Sequence, residues 1–235
     1  MQVQSFVTLI LLCLTLVYGY RGPQDAARIA RRMVDKESLV HFNTLNPDGT
    51  PVSFVEYYIS SDLCPGLQNV TNNGNPILFL STMSSSYQNW DERGAVSLSV
   101  ESYKKHPFES ALSKPRATLF GDLRKLHLSP HDEHRLVRCF THKHPDAYHW
   151  LPGSKNPTVN DTLWVEFDVK HLYFIGGFGD RSYIGNISGP DYHHKHGCGH
   201  RNRVFDGPGA LDNPRKEVSS WGYLMDMVTR LVTMY

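Results

Sequence analysis

Residues 81–89 read Ser-Thr-Met-Ser-Ser-Ser-Tyr-Gln-Asn, directly ahead of a short helical pattern that Gly94 would end. Hydroxyls placed at a helix N-terminus, beside its unsatisfied N–H groups, can form an anion site. Arg116, ahead of an apolar strand that opens at Ala117, could bring a positive charge to it. The candidate set for a bound anionic group is therefore Ser81, Ser84, Ser86, Asn89 and Arg116. The same residues also suit a simpler role, because serine is a preferred N-cap and an asparagine can hold nearby backbone. Capping alone explains serines before a helix, so the structural role is the better expectation.

Histidine is the second residue type with possible chemistry, at 13 copies in 235 residues. His131, His134, His142, His144 and His149 gather in the centre of the chain, with Cys139 near His142. A zinc site needs three or four convergent ligands, whereas these positions spread around a helix. They read as surface histidines, with His144-Pro145 as a helix-ending step. The tract His193-His194-Lys195-His196-Gly197-Cys198-Gly199-His200 is denser but lies among glycines and prolines, which suggest no fixed cage. No metal site is assigned.

The chain begins with an apolar run from Phe6 to Val17, too short to span a bilayer confidently and typical of a secretory leader. Residues 1–19 read as a signal peptide cut after Gly19, which predicts the secretory pathway and no transmembrane segment. Three Asn-x-Ser/Thr sequons then become glycan candidates at Asn69, Asn160 and Asn186. Cys13 leaves with the leader. Cys64, Cys139 and Cys198 remain, enough for one disulfide and one free thiol, with the pairing open. A formal net charge of +1 gives no electrostatic case for nucleic acid as a partner.

The elements that position these residues follow from periodicity. Gln24 to Glu37 reads as an amphipathic helix capped by Asp25. A hairpin follows, Leu39–Leu45 and Val52–Ser60 around Asn46-Pro47-Asp48-Gly49. Pro76–Thr82, Ala95–Glu101 and Ala117–Leu126 read as strands, and Ser129-Pro130 opens a helix. From Leu163, apolar and polar residues alternate until the phase slips at Lys170-His171, as a bulge would cause. Short antiparallel connections with helices between them predict an α+β, six-stranded antiparallel split β-barrel over residues 24–192. The His/Gly-rich tail, 193–235, is divergent and is expected to be poorly ordered.

The order of several segments resembles a known superfamily. The helix carrying Ala-Arg-x-Ala, the Asp48-Gly49-x-Pro51 turn, the serine segment ending at Asn89, His144-Pro145-x-Ala147 and Gly176-Gly177-Phe178-Gly179 are similar to FMN-binding split barrels related to pyridoxamine 5′-phosphate oxidase. The leader, the sequons and the run Tyr173 to Gly185 resemble the CREG group within it, secreted glycoproteins named as cellular repressors of genes stimulated by an adenoviral early protein. The resemblance implies a homodimer across the sheet surface and an extracellular or lysosomal/vacuolar location. It implies action by protein binding, with a cell-surface or sorting receptor as a partner class. It also implies an obstructed flavin pocket and no cofactor; flavin-holding relatives carry a His where Tyr87 stands. The alternative is an FMN-dependent oxidoreductase using the Ser81–Asn89 segment.

Overall fold

Leu78 and Leu80 face one side of a strand and Ile77 and Phe79 the other, yet the strand Pro76–Ser81 is almost wholly buried. Both of its faces are covered, and this arrangement organises the molecule. A computed structural model describes residues 22–103, 107–152, 161–178 and 182–194. The leader, Asn160 and the tail from residue 195 lie outside the described residues.

Helix α1 spans Pro23–Lys36. It starts earlier than expected: Gly22 is the N-cap and Pro23 occupies the first turn, where its fixed φ and missing N–H cost nothing. Asp25 therefore sits inside the first turn and pairs with Arg28 rather than capping. Strands β1 (Leu39–Leu45) and β2 (Pro51–Ser60) form the foreseen hairpin, followed by β3 (Pro76–Ser81). Helix α2 is Ser85–Arg93, then β4 (Ser97–Glu101) and β5 (Arg116–Lys125). Helix α3 is Pro130–Lys143, capped by Ser129, whose hydroxyl accepts from the Asp132 amide. The chain returns as β6 (Thr162–Ile175), β7 (Ile184–Ser188) and the short helix α4 (Gly189–His193).

All pairings among the described strands are antiparallel, in the order β3-β2-β1-β4-β5-β6-β7. A further β3–β6 pairing closes the first six into a barrel, leaving β7 on its edge. The long strand β6 makes closure possible, because it pairs with β3 at its start and with β5 and β7 further on. Its phase slip is a bulge: Phe120 lies opposite His171 while Gly121 lies opposite Val169, so Lys170 has no counterpart. Residue 121 must be glycine there, since a Cβ would stand 2.0 Å from the Asp168 carbonyl oxygen.

Two apolar clusters lie on either side of the barrel wall. Inside, Phe42, Leu98, Leu119, Phe167 and Phe174 pack with Ala30 and Val34 of α1. Outside, Leu136 and Phe140 of α3 cover Ile59, Ile77 and Trp164. The covering of that outer face overturns one expectation. Glu166, placed by alternation on the polar side of β6, is fully buried. Its carboxylate accepts from Asn75 Nδ2 at 3.1 Å and pairs with Arg124, which compensates for lost water.

Candidate functional site

Ser81 at the end of β3, the N-cap Ser84, and Ser86 and Asn89 within α2 lie at one helix, and each has a partner within the protein. Ser84 is the N-cap: its hydroxyl accepts from the Tyr87 amide at 3.2 Å and donates to the Ser81 carbonyl at 2.8 Å. The Ser81 hydroxyl accepts from the Met83 amide at 3.3 Å. Ser86 is buried and donates to Glu56 Oε1 at 2.7 Å. Burial pushes the Glu56 carboxyl up, and the hydrogen bond from Ser86 pulls it back. Asn89, also buried, donates to Thr44 Oγ1 at 3.3 Å and Asn46 Oδ1 at 3.2 Å, tying α2 to the end of β1.

Arg116 is elsewhere. Ser81 pairs with Thr162 and Arg116 with Ile175, at opposite ends of the 14-residue strand β6. The cation beside α2 is Lys125, which the sequence reading missed. Its ammonium donates to Tyr87 Oη at 2.7 Å and Asp91 Oδ1 at 3.1 Å, and it sits 5.0 Å and 5.7 Å from the Tyr87 and Trp90 ring centroids. Those hydrogen bonds, from Tyr87 first, raise the lysine's affinity for its proton. The only sequence signal for this arrangement was the odd register of a lysine at the end of an apolar strand. At the N-terminus of this helix the Ser81, Ser84 and Ser86 hydroxyls are thus engaged within the protein, and Glu56 brings a carboxylate beside them.

Arg116 instead borders a groove of about 240 Å³ on the outer face of β1, β4, β5 and β6. His41, Ser99, Glu101, Thr118 and Tyr173 line it with Arg116. Four of these form one cross-strand row, His41 opposite Ser99, Ser99 opposite Thr118, and Thr118 opposite Tyr173. The Ser99 and Thr118 hydroxyls are 3.3 Å apart. Arg116 donates to the Leu112 carbonyl at 3.1 Å.

The histidines and cysteines are placed differently from their expected roles. His144 ends α3 as foreseen but is buried rather than on the surface. Its ring stacks on Tyr57 at 4.4 Å, and Nε2 lies 2.9 Å from the Tyr58 carbonyl oxygen. Burial lowers its affinity for a proton. No spacing rule could have shown this, because Tyr57 comes from a distant strand. Cys139 is bonded to Cys64, settling the pairing left open above. His193 belongs to α4, with Nδ1 2.9 Å from the Asn73 carbonyl and Nε2 2.7 Å from that of Val169. Among the described residues no group of three or more His, Cys, Asp or Glu could hold a metal ion. Nor is any described helix long and apolar enough to cross a membrane. Asn69 is exposed at a turn with φ of 61°, its carbonyl held by Arg124 at 2.8 Å. Asn186 is exposed on β7.

Comparison with known proteins agrees with this architecture. Among solved structures, a heme-binding protein from Mycobacterium smegmatis superposes with a TM-score of 0.54 at 18% identity, over 72% of this chain and 60% of that one. This chain thus spans less than two thirds of the mycobacterial protein. Campylobacter jejuni ChuZ gives a TM-score of 0.53 at 15% identity, over 80% and 72% of the two chains. A Clostridium acetobutylicum protein related to general stress protein 26, of the pyridoxinephosphate oxidase family, gives 0.45 at 14%, over 70% and 94%. At such identities the first two likenesses carry the fold alone, and the third carries no argument. No curated protein sequence matches the chain. The family model described as CREG, beta-barrel, matches residues 21–194. With most of its length matched and the closed barrel in place, the chain belongs to the CREG beta-barrel family.

Proposed function

We propose that this protein is a secreted or endolysosomal glycoprotein whose barrel acts by binding protein, without catalysis and without a resident cofactor. The observation that carries the reading is the fate of the α2 serines. Ser81, Ser84 and Ser86 are committed to a cap and to the Glu56 carboxylate, and Lys125 to Tyr87 and Asp91. A phosphate site needs free donors and uncompensated positive charge, and these three hydroxyls and this ammonium are already engaged within the protein. The alternative, an FMN-dependent oxidoreductase, therefore ranks second, and heme is named only for distant fold neighbours.

The secretory reading draws support from the apolar leader, the sequons and the Cys64–Cys139 bridge, which suits an oxidising lumen. Residence outside the cell or in the lysosome or vacuole follows from it. The resemblance to the CREG group supports, as part of this proposal, a homodimer across the sheet surface and a cell-surface or sorting receptor as the partner class. The decisive experiment is production of the full chain through a eukaryotic secretory pathway. Glycosylated protein in the medium or endolysosomal fraction, dimeric by sedimentation and colourless, is the expected product. Protein retained in the cytosol, or monomeric at all concentrations, would remove the corresponding part of the proposal.

A further inference from the structure

Helix α3 presents a row of basic residues to solvent. At about 100° per residue, His131, His134, Arg138 and His142 fall within an arc of roughly 80°, opposite Leu136 and Phe140, which are buried against the barrel. All four are exposed. At a rise of about 1.5 Å per residue the row is about 16 Å long. The other two cations of α3 are engaged. Arg135 donates to the Pro65 and Gly66 carbonyls at 2.6 and 2.7 Å, and Lys143 to those of Asp35 and Lys36 at 3.0 and 2.7 Å. The side chains of His134, Arg138 and His142 make no hydrogen bond or ion pair with any described residue.

The carboxylates nearby are kept off the row. Asp132 is buried and accepts from the Gln68 amide at 3.2 Å, with His131 Nδ1 3.5 Å from its other oxygen. Glu133 is half-buried on the flank that turns toward the barrel. Asp146, after the helix, accepts the Tyr57 hydroxyl hydrogen at 2.6 Å, and Asp35 and Glu37 stand at the end of α1 that Lys143 caps. His127 and His149, both exposed, precede and follow the helix.

We propose that this face of α3 binds a sulfated polysaccharide chain, and does so in an acidic compartment. The proposal rests on the endolysosomal reading, which supplies the acid. Histidine changes charge between about pH 5 and 8, so acid adds up to three charges to the fixed one on Arg138. Arg138 stands four residues from both His134 and His142, and like charges at that spacing repel on a helix. An anion laid along the row removes that repulsion. Shape selects the anion. A helix that docks on a bilayer turns an apolar face outward, whereas the apolar face of α3 is turned to the barrel. A single file of cations suits a linear polyanion, and basic clusters of this kind hold sulfated chains by charge. The row is separate from the uncovered sheet surface assigned to the homodimer, because α3 lies over Ile59, Ile77 and Trp164.

Heparin is the probe, and vesicles of phosphatidylcholine and phosphatidylserine are the competing anionic surface. Both are presented to the full chain from a eukaryotic secretory host. Heparin should bind about tenfold more tightly at about pH 5 than at about pH 7.5, and added salt should weaken the acid binding. His134→Gln/His142→Gln should remove the gain, although eleven of the 13 histidines remain. His134→Arg/His142→Arg should bind near neutrality as tightly as the parent binds in acid. Arg138→Gln should weaken binding at both pH values. These variants change exposed side chains and should melt with the parent near neutrality. Equal heparin affinity at the two pH values, or acid-dependent binding that neither double variant changes, overturns the proposal. Binding to vesicles in acid without binding to heparin overturns it too. The compartment is read separately: cytosolic retention refutes the endolysosomal reading, and absence of acid-dependent binding refutes the surface.

Discussion

Ser86 donates its hydroxyl hydrogen to Glu56 Oε1 at 2.7 Å, joining the first turn of α2 to β2. Glu56 is half-buried, and burial raises its pKa, so this bond is its main compensation. Ser86→Ala should therefore leave a half-buried acceptor without its donor and cost about 1 kcal/mol. Urea denaturation of the two proteins checks this. A loss well below that value would mean that the hydroxyl is replaceable by water and free for a ligand.

Stability should depend on pH with opposing contributions. The Glu56 pKa is raised in the folded state by burial above the ordinary 4.5. Its contribution is complete below pH 4.5 and is lost as pH rises through the folded value. His144 is the reverse: burial holds it below the ordinary 6.5. Its contribution is present above pH 6.5 and is lost as pH falls through the folded value. Glu56→Gln should thus raise the melting temperature near neutrality relative to the parent, with no gain below pH 4.5. His144→Gln should flatten the decline on the acid side of pH 6.5. Melting curves across pH 4 to 8 test both, and parallel profiles for parent and variants would refute the assignments.

The Cys64–Cys139 bridge joins positions 75 residues apart and ties the loop after β2 to α3. Such a crosslink mainly restricts the unfolded chain, and its removal should cost about 2–5 kcal/mol. The Cys64→Ala/Cys139→Ala protein is expected to melt well below the parent. Non-reducing peptide mapping of secreted protein should find these two cysteines together; a bridge to Cys198 would contradict the pairing.

Gly121 faces the bulge at Lys170 with no room for a side chain, its added Cβ meeting backbone at 2.0 Å. Gly121→Ala should force the strands apart and cost about 1–3 kcal/mol or more, read by thermal melting. Gly94→Ala is an informative contrast, because that cap has φ of 69° but open space around it. It should cost only the strain of a left-handed alanine, about 1 kcal/mol.

The barrel was legible because its local signals agree with its tertiary structure. Ser84 and Ser129 cap the expected helices, Asn46 to Thr50 turns the expected hairpin, and the slip at Lys170 marks a real bulge. Strand β7 and helix α4 were less clear, being short and framed by glycines and a proline. What local pattern could not supply was which outer face is covered. Glu166 alternates like a solvent-facing residue and is buried only because α3 and the loop carrying Asn75 lie over it. The candidate site failed to assemble for the same reason. Arg116 and Lys125 are the two ends of one strand, and only the closed barrel shows which of them meets α2.

The central claim is that the barrel binds protein without a resident cofactor, and the visible spectrum of the purified protein tests it most directly. The protein should come from its secretory pathway, with the chromophore-to-chain ratio measured after extensive dialysis. The account predicts no band above the protein background. A flavin or heme band on the order of one chromophore per chain, as a cofactor protein requires, would contradict it.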